Sequence, residues 1–206
     1  MNKVLRHLDL FELHEFFKYL TWHFYCNSLS VNNKNLSFSV QLSEFNQASP
    51  AAILALLKQC VHIERWATEL ESKRPFQTVD DVLAAAKAQT DTWSWAEIHR
   101  ALATHPRIGE KQAKQALTDK EENFSKAEQA AVSQDQATQD ALLAGNLAYE
   151  AQFDFIFLIR AAGRNSQQIL TALHERLKHD LDTEKTIVKQ ELSEIALLRL
   201  AQELQA

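Results

Sequence analysis

The chain has 206 residues, 46% hydrophobic and 24% charged, which is enough apolar material to close one globular core. A net charge of -5 with no long Lys/Arg run leaves no footprint for tracking a phosphate backbone, so no nucleic-acid partner is expected. Cys26 and Cys60, the two cysteines, form neither a disulfide-dense framework nor a CxxC zinc pair, which points to a reducing, cytoplasmic setting.

The N-terminal stretch MNKVLRHLDLFELHEFFKYLTWHF is apolar and aromatic, but Asp9, Glu12, Glu15 and Lys18 interrupt it and no small-residue cleavage site follows. It reads as neither a signal peptide nor a membrane span. The Asn/Ser-rich run that follows predicts a linker, so residues 1–40 read as an N-terminal extension, partly helical and then linker, ahead of a domain over 41–206.

Ser49 as N-cap with Pro50 in the first turn opens a helix, and Ile53, Leu54, Leu57, Val61 and Trp66 keep its spacing up to the break at Arg74–Phe76. Thr78, followed by Asp80 and Asp81, caps the next. A third spans about Ser94 to Ala103, and the chain then breaks at Thr104–Gly109. Lys111–Leu117 predicts a weak helix, and Ser125 with Glu128 three residues on has capping-box spacing for another. Asp135–Ala162 reads as one long helix ended by Gly163, Ser166–Leu177 as the next, and Thr183–Leu204 as the last. With no strand alternation and no fixed repeat, the expected fold is an all-α, single-domain helical bundle.

The break, HPRIG at 105–109, concentrates one of three prolines and one of three glycines around a histidine. Pro106 disfavours helical geometry for His105 and sets its imidazole on an irregular corner, where it either lines a cleft or merely belongs to a turn. Glu128 can point inward or simply cap a helix. Arg199, between Leu198 and Leu200, either snorkels to water or enters a pocket where a partner balances its charge. The eight histidines are scattered without HExxH spacing, and no glycine-rich phosphate loop or GxSxG elbow occurs, so no metal site and no cofactor site is expected.

In order, LSEFNQASP, Cys60 with Trp66, RPF, HPRIG, SKAEQ, NLAYEAQFDFIFLIRAAG, ERL and LLRL resemble the OHCU decarboxylase family, over about four-fifths of the chain. That family acts on 2-oxo-4-hydroxy-4-carboxy-5-ureidoimidazoline (OHCU) in the oxidation of urate to allantoin. The resemblance implies a catalytic role for His105 with Glu128, and substrate contacts from Pro106, Ser125, Gln129, Phe157, Ile159 and Arg199. It further implies an all-α fold, a homodimer and no cofactor. Two departures stand out: Asp154 replaces the family's usual glycine, and residues 1–40 match nothing in it. The chain ends in ELQA rather than Ser-Lys-Leu, which suits the cytoplasm rather than the peroxisome. A rival reading is a helical interaction module without catalysis.

Overall fold

The computed structural model of the protein describes residues 40–109, 119–130, 132 and 135–205. The expected extension before Val40 and the weak helix at Lys111–Leu117 lie outside them. Strand β1 (Val40–Gln41) leads into α1 (Leu42–Gln47) and pairs in parallel with β2 (Leu204–Gln205) from the other end of the chain. Two residues per strand are too few for an alternation to register in a sequence.

Ser49 accepts a hydrogen bond from the Ala52 N–H and opens α2 (Pro50–Cys60), as its position before a proline predicts. The single helix expected up to RPF is in fact two. Val61 and Ile63 are extended and each only 1% exposed, and α3 (Glu64–Ser72) starts after them. Alternation buries two β-branched side chains and turns His62 outward, which a continuing helix could not do. RPF then closes on α1: the Arg74 guanidinium donates to the carbonyls of Phe45 and Ala48 at 2.7 and 2.8 Å, and Asn46 bonds both backbone groups of Phe76. Those carbonyls lie at the end of α1, where a helix leaves acceptors unfilled.

Helices α4 (Val79–Thr90) and α5 (Trp95–Leu102) begin with complete capping boxes at Thr78 and Ser94. The next helix, α6 (Asp119–Glu128), corrects the sequence reading, because Ser125 lies in its last turns rather than at its start. A Ser-x-x-Glu spacing also aligns two side chains on one face inside a helix, and here both turn inward.

Helix α7 (Gln136–Phe153) ends nine residues before the expected Ala162. Asp154 takes the left-handed conformation, φ 62°, and the chain continues extended. The reason is the alternation Phe153, Phe155, Phe157: on a helix the middle ring would face away from its neighbours, whereas the extended chain buries all three around Tyr149. Helix α8 (Ser166–Arg176) follows, capped by Asn165, and then α9 (Leu181–Glu203), capped by Asp180. Helix α9 packs on α2, α4 and α5, while α7 and α8 pair closely at Gly145, where a Cβ would meet Leu173 at 2.2 Å. The fold is all-helical apart from the two-residue ladder, as expected.

Candidate active site

Helix α5 ends in a tightened turn in which the His105 N–H donates to Leu102. His105 Nδ1 lies 3.0 Å from the Ala101 carbonyl, which can only accept, so Nδ1 carries the proton and Nε2 presents a lone pair. That Nε2 is buried and has no partner among the described residues. Burial, then the nearby charge of Arg199, pushes the His105 pKa from 6.5 down to about 4, so the ring is neutral at pH 7.

Three side chains hold the rest of HPRIG. Arg107 forks onto Glu150 of α7, with Nη2 to Oε2 at 2.8 Å. One turn earlier on α7, Asn146 Nδ2 donates to the Ile108 carbonyl at 3.0 Å. The Gly109 N–H donates to Gln129 Oε1 at 3.0 Å, and glycine is required there because φ is +81° and a Cβ would lie 2.8 Å from Leu142.

Helix α6 turns Glu121, Ser125 and Glu128 inward, so its buried face is polar. Gln129, just after the helix, donates from Nε2 to Ser125 Oγ at 3.1 Å. Arg199 does not snorkel: it is 5% exposed and binds Glu128 through two bonds, Nε to Oε1 at 2.7 Å and Nη2 to Oε2 at 2.9 Å. Its Nη1 reaches the Cys60 carbonyl at 3.4 Å, and its guanidinium lies 5.4 Å from the Phe124 ring centre.

The opposite wall is the extended segment after α7. Arg176 donates to the Leu158 carbonyl at 2.7 Å, with its guanidinium 4.7 Å from the Phe157 ring centre. Glu184 pairs with Arg176, accepts from the Tyr149 hydroxyl and meets His179, so the cation that fixes this wall is itself neutralised. The Arg160 N–H donates to Glu191. Among the described residues, no such side chain holds the backbone groups of Phe157 and Ile159.

All eight residues singled out in the sequence, His105, Pro106, Ser125, Glu128, Gln129, Phe157, Ile159 and Arg199, line one cavity of about 30 Å³. That is room for one or two waters, so a larger ligand must displace side chains. Ile108, Leu158, Ala161 and Ile195 complete the lining and were not foreseen. Ile195 lies one helical turn before Arg199 and Leu158 sits between Phe157 and Ile159, while Ile108 and Ala161 each lie two residues after a foreseen one, Pro106 and Ile159. The buried Tyr149, Arg176, Glu184 cluster was missed as well, because its members are far apart in sequence. Among the described residues no group of three or more His, Cys, Asp or Glu is placed to hold a metal ion.

The model of the OHCU decarboxylase family matches residues 46–201. The chain belongs to the OHCU decarboxylase family. Among its relatives, the 2-oxo-4-hydroxy-4-carboxy-5-ureidoimidazoline decarboxylase of Haloferax volcanii is 30% identical over 141 residues, 66% of this chain and 80% of that one. A uric acid degradation bifunctional protein of Bacillus sp. (strain TB-90) is 26% identical over 78% of this chain, which spans only 32% of that longer protein. A crystal structure of OHCU decarboxylase in the presence of (S)-allantoin superposes with a TM-score of 0.59 at 22% identity, covering 75% of this chain and 96% of that one. At that identity the likeness speaks for the fold, and the family's all-helical architecture is the one seen here.

Proposed function

We propose that this family member, a carboxy-lyase, decarboxylates OHCU to (S)-allantoin, with His105 transferring the proton. One observation carries the reading: eight residues scattered over 95 positions of sequence converge on the unpartnered Nε2 of a buried, neutral histidine.

Loss of CO2 leaves an electron pair on carbon, and in OHCU an adjacent C=N bond can take it up. The protein's tasks are then to hold the carboxylate out of the ring plane, stabilise developing charge and deliver a proton to one face. A neutral His105 cannot donate from Nε2. An arriving substrate anion adds negative charge beside the ring, raises the histidine's pKa and lets it hold a proton. Arg199 is the natural clamp for the anion, since its planar fork already grips a carboxylate, that of Glu128. Glu128, once exchanged, is free to bind the ring nitrogens or hydroxyl. The unheld backbone of Phe157 and Ile159, with Gln129 and Ser125, offers donors and acceptors to the ureido group, and Pro106 shapes the floor.

We place the enzyme in the cytoplasm as a homodimer acting without a cofactor, on the strength of the family resemblance. No helix among the described residues is long and apolar enough to cross a membrane. The test is direct: catalytic amounts of protein should accelerate the optical loss of freshly made OHCU and yield one allantoin enantiomer by circular dichroism. A decay no faster than the spontaneous one, ending in racemic product, overturns the assignment.

A further inference from the structure

Decarboxylation consumes a proton. The carbon–carboxylate bond breaks, its electron pair enters the C=N system, CO2 leaves, and the carbon then takes up H⁺. If His105 gives that H⁺, it must regain one from water at every turnover, yet its Nε2 is closed off from solvent. We propose that His62 and Glu121 form the proton inlet of this cavity, carrying protons from the surface to His105. The proposal rests on the decarboxylase reading above.

The local backbone sets the outer end. Because Val61 and Ile63 are extended and buried, His62 between them faces outward, with its side chain 42% exposed at an open surface cleft. The inner end is Glu121, whose side chain is 7% exposed and which is hydrogen-bonded to His62 Nε2. A carboxylate at that depth needs a partner, and an imidazole is one that can also exchange protons near neutrality. Glu121 lies on the inward stripe of α6, one turn before Ser125 of the cavity wall. The pair therefore runs from the solvent-facing cleft to a buried carboxylate one helical turn from the cavity wall.

Other polar groups at the wall suit the task less well. Arg199 does not deprotonate, the amide of Gln129 does not titrate, and both oxygens of Glu128 are engaged by Arg199. The titration of His105 also responds to charge on both His62 and Glu121, which places them within electrostatic reach of the ring. One proton then moves as follows: water protonates His62, His62 passes a proton to Glu121, and the Glu121 carboxyl passes one to His105 over water in the cavity. The cycle leaves His62 neutral and Glu121 anionic, with one H⁺ taken in for each CO2 released.

Lys58 on α2, Glu64 and Arg65 on α3, and Glu97 and Arg100 on α5 line the same cleft as His62, besides Glu121 on α6. A pH profile alone would therefore mix several groups, and the decisive readout is dependence on buffer. His62→Gln keeps a donor for Glu121 but cannot pass a proton, and His62→Lys gives Glu121 an ammonium partner that holds its proton too tightly. With OHCU in weak buffer, each variant should turn over about tenfold more slowly than wild type with KM unchanged, the deficit widening as pH rises. Added imidazole should restore kcat in the variants and leave wild type unaffected. Folding is checked by far-UV circular dichroism and melting, and the second variant stands in if the first melts early. Wild-type kcat in a folded variant, or a loss that imidazole does not repair, overturns the inlet alone. A wild-type protein that fails to accelerate OHCU loss overturns the decarboxylase reading and the inlet with it.

Discussion

Arg199 and Glu128, 71 residues apart in sequence, meet in a two-bond fork in which each side chain covers the other's charge. Their side chains are 7% and 13% exposed, so neither finds compensation in water when the other is removed. From sequence, an arginine among leucines either snorkels to water or enters a pocket where a partner balances its charge, and the fork is the second case. Arg199→Met should destabilise the protein by about 3–5 kcal/mol, because it strands a buried carboxylate, and Arg199→Lys should lose less because it keeps the charge. Adding Glu128→Gln to Arg199→Met should recover part of the loss in a double-mutant cycle read by thermal or urea melting. Equal stability of wild type and Arg199→Met would mean that the two side chains do not pair in solution.

His105 makes the protein acid-sensitive. Its folded pKa, about 4, lies below the ordinary 6.5, so between those values the unfolded chain binds the proton and the folded one does not. The contribution is complete above pH 6.5 and is lost as pH falls toward 4. A gap of that size is worth on the order of 3 kcal/mol. His105→Gln should flatten the stability curve across this window and abolish turnover while remaining folded at pH 7. Urea midpoints at several pH values measure the first, and the OHCU assay measures the second.

How much of this was legible differs from element to element. Caps at Ser49 and Thr78 were readable because they act within four residues. The eight cavity residues were readable through a family pattern, which carries long-range information that spacing lacks. Ser125 was misread as a cap because Ser-x-x-Glu has the same spacing at a helix start and on one face of a helix interior. The end of α7 was misplaced although FDFIF alternates, since the extended segment pairs with no strand and only burial around Tyr149 rewards it. His62 and Glu121 could not have been paired from sequence, being 59 positions apart with no motif joining them.

Asn146 is the buried anchor of the His105 loop. It is 2% exposed, and its Nδ2 satisfies the carbonyl of the equally buried Ile108, 5% exposed. Asn146→Leu should cost about 1–3 kcal/mol by leaving that carbonyl unpaired. Releasing the loop also moves the imidazole relative to Arg199, so kcat should fall by more than KM rises. Asn146→Asp should do worse, since it sets a carboxylate against a carbonyl oxygen. Steady-state kinetics and melting on the same proteins check both effects, and unchanged kcat in a destabilised Asn146→Leu would confine the residue to packing.

Asp154 sits where α7 gives way to the extended wall, at φ 62° and ψ 26°, and it is exposed. A residue with a Cβ is strained there, which accounts physically for the glycine that the family usually carries. Aspartate tolerates the left-handed region better than most, and glycine gives back part of any gain through the entropy of the unfolded chain. The net benefit of Asp154→Gly should therefore be modest, about 0.5 kcal/mol, or a melting temperature higher by about 1–2 °C for a chain of this size. Asp154→Val should go the other way by about 1–2 kcal/mol, because a β-branched side chain is the least tolerant of that conformation. Turnover should be unchanged in Asp154→Gly, as Asp154 is not among the residues lining the cavity. The order Gly above Asp above Val in melting temperature is the result expected; a valine variant as stable as wild type would show that the corner does not adopt the left-handed geometry.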